Sequence, residues 1–314
     1  MNYQTYLFFD GRAEYIQGYD TPQHTFPLGS LVFGLLDMEF APYLEQATGL
    51  LDRFRGMDFP AGRTMAQSLA EPGTCAYHNA KVLVKAAAIG AEPDRMLMEG
   101  GRWSPARLRD AFQRDSLGDF SEPFRQAVLR ARETLNAGND PQRADFVLDR
   151  AYFQEMADTA KAVGSPFLQG YVRLLLDAAN LRSAVRAARI GKGPDFLRQV
   201  LLPGGNVDVS VLSSGRGADL AAVFRAGPLG EAAAAGAALT SPGSGELTAF
   251  ERMCDDAVMH YLEGARLIPF GEQSVIGYLY ARESEFTAIR TILSGRMAGL
   301  DSDTIRERLR EAYV

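Results

Sequence analysis

The sequence predicts an all-α protein made of three similar helical units. Three observations lead to this fold class: helix-capping side chains stand directly before prolines, apolar residues recur at helical spacing, and one stretch returns about one hundred residues later. Segments with the alternating pattern of a β-strand are nearly absent. The chain of 314 residues accommodates three such units.

The repeat is the most informative of these observations. Residues 84–94 return as residues 185–195, displaced by 101 positions. A match that keeps so many positions in register indicates an architecture assembled from repeated units. The recurrent polar and glycine positions are Asn79, Lys85 and Gly90 in the first copy, Asn180, Arg186 and Gly191 in the second, and the following pairs Gly100-Gly101 and Gly204-Gly205.

A fainter third copy follows these two. Residues 184–186 are echoed by residues 288–290, which end in Arg290, and Gly295 then takes the place of Gly191. The displacement is 104 residues, and the distance from the preceding proline break to the glycine is 25 residues in the second copy and 26 in the third. We therefore predict three units, which span 1–110, 111–215 and 216–314.

Capping residues mark the starts of the predicted helices. Ser104, Asp140 and Ser165 each supply a side-chain oxygen directly before a proline, which suits the first helical position. The first begins a short helix. Asp140 begins a helix that ends at Gly164, and Ser165 begins a long helix that ends at Gly191, because a wide apolar face continues to that glycine.

The outer units follow the same order. In the third unit we predict a helix over 246–267, a long helix that ends at Gly295, and a short helix with Ser302 as its N-cap. In the first unit, breaks at 59–60 and 71–73 predict a long helix that is shorter or kinked.

Composition and charge exclude several classes of function. The formal net charge of −6 and the pI near 5.3 argue against nucleic acid as a partner, because phosphate binding requires clustered Lys and Arg.

Cys75 and Cys254 are isolated, which suggests a reducing compartment. The first ten residues do not resemble a signal peptide, and no apolar run is long enough to cross a bilayer. We expect a soluble protein.

The best candidate for chemistry is an acidic set on the helix predicted over 246–267. It could hold a metal ion, but a di-iron bundle would need a matching Glu-x-x-His helix, and we expect a solvated acidic face instead. Phosphate-binding glycine loops and nucleophile elbows are absent from the sequence. We predict no catalytic, cofactor or metal site; a metal-dependent enzyme is a distant alternative. The set comprises Glu251, Asp255, Asp256, His260 and Glu263.

Three stretches carry a resemblance to a known family. Residues 176–186 with the later 201–205, residues 277–290 and residues 77–85 resemble the C subunit of the bacterial and archaeal V/A-type ATPases, the counterpart of the eukaryotic V-ATPase d subunit. The resemblance covers about residues 74–314, whereas residues 1–59 depart from the family pattern. The positions that carry it are Asn79, Lys85, Gly90, Asn180, Arg186, Gly191, Gly204, Gly205 and Arg290.

This resemblance implies both an architecture and a role. The three pseudo-equivalent lobes would form a funnel or socket around a central axis. The chain would be a non-catalytic rotor connector between the central shaft, with its D- and F-type subunits, and the membrane proteolipid ring of a proton- or sodium-translocating ATPase. It would lie in the cytoplasm and meet the membrane only by way of the ring. The alternative is a soluble all-helical repeat scaffold that binds other protein partners, and co-purification would separate the two.

Overall fold

The computed structural model describes residues 7–9, 12–14, 73–98, 103–138, 140–214, 220–268 and 272–311. From residue 73 onward, the described part of the chain is helical, which confirms the predicted fold class there. The exception lies earlier, where Leu7–Phe9 (β1) pairs antiparallel with Arg12–Glu14 (β2). Twelve α-helices are described: α1 (Gly73–Ile89), α2 (Pro105–Gln113), α3 (Glu122–Gly138), α4 (Pro141–Val163), α5 (Pro166–Arg189), α6 (Pro194–Val200), α7 (Val209–Ser213), α8 (Leu220–Phe224), α9 (Gly230–Ala238), α10 (Thr248–Glu263), α11 (Glu272–Met297) and α12 (Ser302–Arg308).

The predicted helix starts are confirmed at three positions. Ser104, Asp140 and Ser165 each accept a backbone N–H of the first helical turn, ahead of a proline. The prediction for the last helix is wrong by one residue. Asp301, not Ser302, is the N-cap of α12, because its carboxylate accepts two backbone N–H groups of the first turn.

The three long helices differ in length as the sequence predicts. The first, α1, has 17 residues, against 24 in α5 and 26 in α11. It begins at Gly73, and the break predicted at 59–60 lies outside the described residues. In the third unit, α10 ends at Glu263 and a 3₁₀ turn, Gly264–Leu267, completes the predicted segment. Helix α11 continues beyond Gly295, so the predicted end of this helix is wrong.

The buried side chains form three clusters. One joins α1, α2, α3 and α4 and includes Phe124 and Leu148. A larger one joins α5 to the helices that follow it and includes Leu181, Val185 and Phe250. The third lies along the seam between α4 and α5. Burial of each large side chain contributes about 1.5–3 kcal/mol, so these clusters account for most of the favourable free energy of folding.

Helices α4 and α5 form an antiparallel hairpin. The turn between them is made by Gly164, at φ 77°, and Ser165. Arg150 of α4 donates to the carbonyl oxygen of Leu201 at 3.1 Å, and Asn180 of α5 donates to that of the adjacent Leu202 at 2.7 Å. Residues equally distant from the turn therefore lie side by side. This hairpin connects the first cluster of buried side chains to the second.

Candidate functional site

A buried asparagine on each of the first two long helices clamps an extended segment of backbone. Asn180 donates from Nδ2 to the carbonyl oxygen of Leu202 at 2.7 Å and accepts the N–H of the same residue at 2.7 Å. Asn79 makes the same two hydrogen bonds with Met98, both at 2.8 Å. The recurrent asparagines are therefore equivalent in structure as well as in sequence, and each satisfies one residue's backbone donor and acceptor.

A left-handed glycine ends each long helix. Gly90, Gly191 and Gly299 have φ values of 64°, 67° and 73°, a conformation that costs an ordinary L-residue roughly 1–2 kcal/mol. The residue after each glycine donates its N–H to the carbonyl oxygen five positions back, at 3.0, 2.8 and 2.9 Å. This is the Schellman arrangement that satisfies free carbonyls at a helix end. The chain therefore contains three copies of one helix terminus.

The third copy is displaced from the register that sequence identity indicates. Its left-handed glycine is Gly299, four residues beyond Gly295, so the structural displacement from the second copy is 108 residues and not 104. In this register Arg290 corresponds to Arg182, one turn before Arg186. Gly295 serves packing instead, because a Cβ there would lie 2.7 Å from a side-chain carbon of Ile305.

The segment after each glycine also recurs. A short helix follows, and it ends at a leucine in extended conformation: Leu97, Leu201 and Leu309, with ψ values of 139°, 143° and 145°. The distance from glycine to leucine is ten residues in the second and third copies and seven in the first. The three residues missing from the first copy reduce its short helix to a single 3₁₀ turn, Asp94–Met96.

The glycine pair of the second copy wraps around a buried carboxylate. Gly204 has a φ of 101°, and a Cβ on Gly205 would lie 2.1 Å from Oδ1 of Asp177. Asp177 accepts hydrogen bonds from the backbone and side-chain nitrogens of Asn206, at 3.0 and 2.9 Å, and from the N–H of Val207 at 3.1 Å. The sequence did not single out Asp177. The corresponding pair, Gly100-Gly101, lies outside the described residues.

Two ion pairs join α1 to α4. Lys85 Nζ lies 3.1 Å from Asp145 Oδ2, and Lys81, one turn earlier, pairs with Asp149, one turn later. Both lysines lie on one face of α1 and both aspartates on one face of α4, because residues four apart are neighbours on a helix. The reversed order shows that the two helices are antiparallel.

The same arrangement joins α5 to α10. Arg186 Nε lies 3.1 Å from Glu251 Oε1, and Arg182 pairs with Asp255. The two basic positions lie 101 residues after the lysines of α1, and the two acidic positions lie 106 residues after the aspartates of α4. We call these four ion pairs the double ladder. It fixes the register of α1 against α4 and that of α5 against α10.

The prediction of a solvated acidic face is wrong for three residues of α10, Glu251, Asp255 and Asp256. Glu251 and Asp255 belong to the double ladder, and Asp255 also accepts from Nε of Arg310 at 2.6 Å. The third acid, Asp256, accepts the N–H of Glu311 at 3.1 Å. These acids attach the extended segment 309–311 to α10. Within the described residues, no group of acidic, histidine or cysteine side chains has the arrangement of a metal site.

Burial raises the pKa of two groups beside these contacts. The pKa of the Asp256 carboxyl is raised mainly by desolvation, and the hydrogen bond from the Glu311 N–H partly opposes this rise. Desolvation also raises the pKa of the Cys254 thiol to about 12, although the nearby charge of Arg182 opposes the shift. A thiol of this kind is buried and unreactive, and a pKa so far above neutrality does not suit a nucleophile.

The recurrent residues therefore share one property: they hold helices and turns together. In the first two copies the asparagines contact backbone, the glycines form turns and the basic residues pair with neighbouring helices, so the arrangement is that of a helical protein built from repeated units. None of the helices in the described part of the chain combines the length and the hydropathy that a membrane span requires.

Comparison with protein families agrees with this class. The model of the ATP synthase (C/AC39) subunit family matches residues 75–308, which includes every helix described from α2 to α12 and nearly all of α1. The chain belongs to this family. The match begins where the helical part of the structure begins, and it ends at the last residue of α12.

Individual relatives come from bacteria and archaea. The C subunit of the V-type sodium ATPase of Enterococcus hirae is 21% identical over 237 residues, which cover 76% of this chain and 72% of the relative. The C subunit of the A-type ATP synthase of Haloferax volcanii is 29% identical over 169 residues, or 52% of this chain and 47% of the relative. The C subunit of the V-type ATP synthase of Thermus thermophilus is 27% identical over 38% of each chain.

Proposed function

We propose that this chain is the non-catalytic central-stalk connector of a V/A-type rotary ATPase. In this role it links the central shaft to the proteolipid ring and transmits torque between them. Membership of the ATP synthase (C/AC39) subunit family is the observation that carries the proposal. The use of the recurrent residues for helix termini and helix pairing supports it, because a connector requires shape and stiffness rather than reactive groups.

In this proposal, three pseudo-equivalent lobes surround a central axis as a funnel. The support comes from the three copies of the helix terminus at Gly90, Gly191 and Gly299. It also comes from the double ladder, which repeats one helix pairing along the chain. The division at 1–110, 111–215 and 216–314 stays a prediction.

Torque transmission depends on stiffness between the lobes. Close-packed protein interiors resist deformation, and the described helices bury their apolar faces in three clusters. The double ladder places two ion pairs between α1 and α4 and two between α5 and α10. These pairs resist sliding of one helix along the other. Exposed ion pairs contribute only about 0–1 kcal/mol each, so the ladder determines register more than stability.

The proposed partners are the D- and F-type subunits of the shaft on one side and the proteolipid ring on the other. The chain would lie in the cytoplasm, peripheral to the membrane. Whether the coupled ion is H⁺ or Na⁺ is a property of the ring. Of the relatives, the one in Enterococcus hirae is named as a subunit of a sodium ATPase and the one in Haloferax volcanii as a subunit of an ATP synthase.

Co-purification tests this function against the scaffold alternative. An affinity tag on this chain in its native cells, with mild detergent extraction, is expected to recover the shaft subunits and the proteolipid ring together. A tagged unrelated helical protein at equal expression controls for non-specific capture. Recovery of other soluble proteins, with neither shaft nor ring above the control, would contradict the proposal and favour the scaffold.

A further inference from the structure

Each of the three long helices ends in a large apolar side chain that is exposed. Ile89, Ile190 and Met297 have 77%, 65% and 68% of their surface exposed. The two isoleucines directly precede the left-handed glycines of their helices, and Met297 stands two residues before Gly299. We call these three side chains the helix-end triad.

The polarity of the helices places the triad at one end of the molecule. Helices α1 and α5 are both antiparallel to α4, so they run in the same direction. Residues 307–311, which begin at the end of α12, run parallel to α10, because Arg252 contacts Glu307 and Asp256 contacts Glu311. Arg252 of α10 donates to the carbonyl oxygen of Glu307, as Arg150 of α4 donates to that of Gln199, 108 residues earlier. Helix α10 therefore stands to α11 as α4 stands to α5, which makes α11 antiparallel to α10. The double ladder makes α5 antiparallel to α10 as well, so α11 runs with α5 and α1.

The helix terminus itself does not require apolar side chains at these positions. The Schellman turn depends on the glycine and on backbone hydrogen bonds, which any residue before the glycine provides. Scattered exposed apolar side chains are ordinary on protein surfaces. Two of these side chains stand at equivalent positions of the repeat, and the third stands one residue earlier in its copy. All three lie at one end of the molecule, where a single partner can contact them together.

We propose that the helix-end triad makes the apolar contact between this chain and the proteolipid ring. This inference rests on the proposed connector function. A contact that recurs three times at one end fits a partner that presents the same surface several times, and a closed ring of identical subunits is such a partner. Each side chain of the triad packs against a different subunit of the ring, on loops that face away from the lipid.

Binding of purified full-length chain to detergent-solubilised ring from the same organism tests the inference. Ile89→Ser, Ile190→Ser and Met297→Ser are measured singly and as a triple variant. Each substitution is expected to weaken binding about tenfold, as for an apolar side chain of this size that loses part of its burial, and the triple variant far more. Binding of the isolated shaft subunits is expected to stay unchanged in all variants.

Leu267→Ser is the matched control. Leu267 is 90% exposed and lies before the start of α11, whereas Met297 is the last residue of that helix. A helix of 26 residues is about 39 Å long, so the control removes an exposed apolar side chain from the opposite end. It is expected to bind the ring like the unmodified chain. Circular dichroism and the urea midpoint establish that every variant is folded.

The outcomes separate this inference from the function on which it rests. If the unmodified chain binds the ring and the triple variant binds it equally well, the triad is not the contact, although the connector function stands. Equal weakening by Leu267→Ser, or loss of shaft binding in the triple variant, also contradicts the inference. If the unmodified chain does not bind the ring, the connector function fails and the inference with it.

Discussion

The side-chain amide of Asn180 forms two hydrogen bonds with the backbone of Leu202, one as donor and one as acceptor, each 2.7 Å long. Asn79 and Met98, which stand 101 and 104 residues earlier, make the same pair of hydrogen bonds. The amide thereby makes the two backbone hydrogen bonds that a neighbouring β-strand would make with an extended residue. In each of the first two units it anchors the extended segment after the short helix to the long helix.

Asn180→Leu is expected to destabilise the protein by about 2–4 kcal/mol. Leucine is similar in size, so the main effect is that the buried N–H and carbonyl of Leu202 lose their partners, at about 1–3 kcal/mol for each group. Urea unfolding followed by circular dichroism measures the free energy of unfolding.

Asn79→Leu is the comparison for this substitution. Its loss is expected to be smaller, because Met98 is 45% exposed and water can replace the lost hydrogen bonds, whereas Leu202 is buried. Equal losses of unfolding free energy at Asn79 and Asn180, or losses below about 0.5 kcal/mol at both, would contradict the role given to these hydrogen bonds.

Gly205→Ala is expected to cost about 2–3 kcal/mol, because the new Cβ would displace the Asp177 carboxylate from three hydrogen bonds. Gly191→Ala is the control, since nothing lies within 4 Å of its Cβ position and only the left-handed strain of about 1–2 kcal/mol applies. Urea unfolding of both variants gives the comparison. In an Asp177→Ala background the additional cost of Gly205→Ala is expected to fall; an unchanged cost would show that the clash is unimportant.

The two ion pairs of the double ladder that join α5 to α10 are expected to differ in strength. A double-mutant cycle on Arg182 and Asp255 should give about 0.5–1 kcal/mol of coupling, and the cycle on the more exposed Arg186 and Glu251 less than about 0.5. Alanine variants and urea unfolding supply the values. Both couplings should decrease in high salt, and a larger coupling for the exposed pair would contradict this ranking.

Cys254 is expected to be unreactive in the folded protein. In a Cys75→Ser variant, a thiol reagent at mildly alkaline pH should label Cys254 only after unfolding, because its pKa is about 12. The ordinary pKa of a thiol is 9.0, so the unfolded chain releases the proton first as the pH rises. The thiol's contribution to stability is therefore complete below pH 9 and is lost as the pH rises from 9 to about 12.

Cys254→Ala provides the matched measurement. The difference in unfolding free energy between the unmodified chain and this variant is expected to decrease over the same pH interval. A difference that does not depend on pH would contradict the shifted pKa, as would rapid labelling of the folded protein.

The sequence predicted the fold class and most of the recurrent positions. The displacement of 101 residues is constant along α1 and α5, so the asparagines, basic residues and glycines on these helices were recognisable as pairs. Their contacts were not predictable, because the acidic partners recur at a different displacement, 106 residues, and Glu251 replaces the aspartate at 145. When acidic residues lie on a helix without a recognisable repeat, their pattern is the one expected of a solvent-exposed helix face.

The register of the third copy shows a different limit of sequence reasoning. A slip of four residues along a helix moves each side chain by about one turn and keeps it on nearly the same face. The apolar pattern of α11 is therefore almost equally compatible with Gly295 and with Gly299 as the terminus. The left-handed φ of Gly299 and the hydrogen bond from Leu300 to Gly295 decide between them.

ATP-driven ion pumping in a complex that lacks this chain tests the connector function most directly. The complex is reconstituted into sealed vesicles with and without the chain, and ATP hydrolysis and ion uptake are measured on the same preparation. Without the chain, we expect hydrolysis to continue while ion uptake falls to the level of vesicles without ATP, and added chain should restore uptake. Ion uptake that is undiminished in its absence would contradict the proposed function.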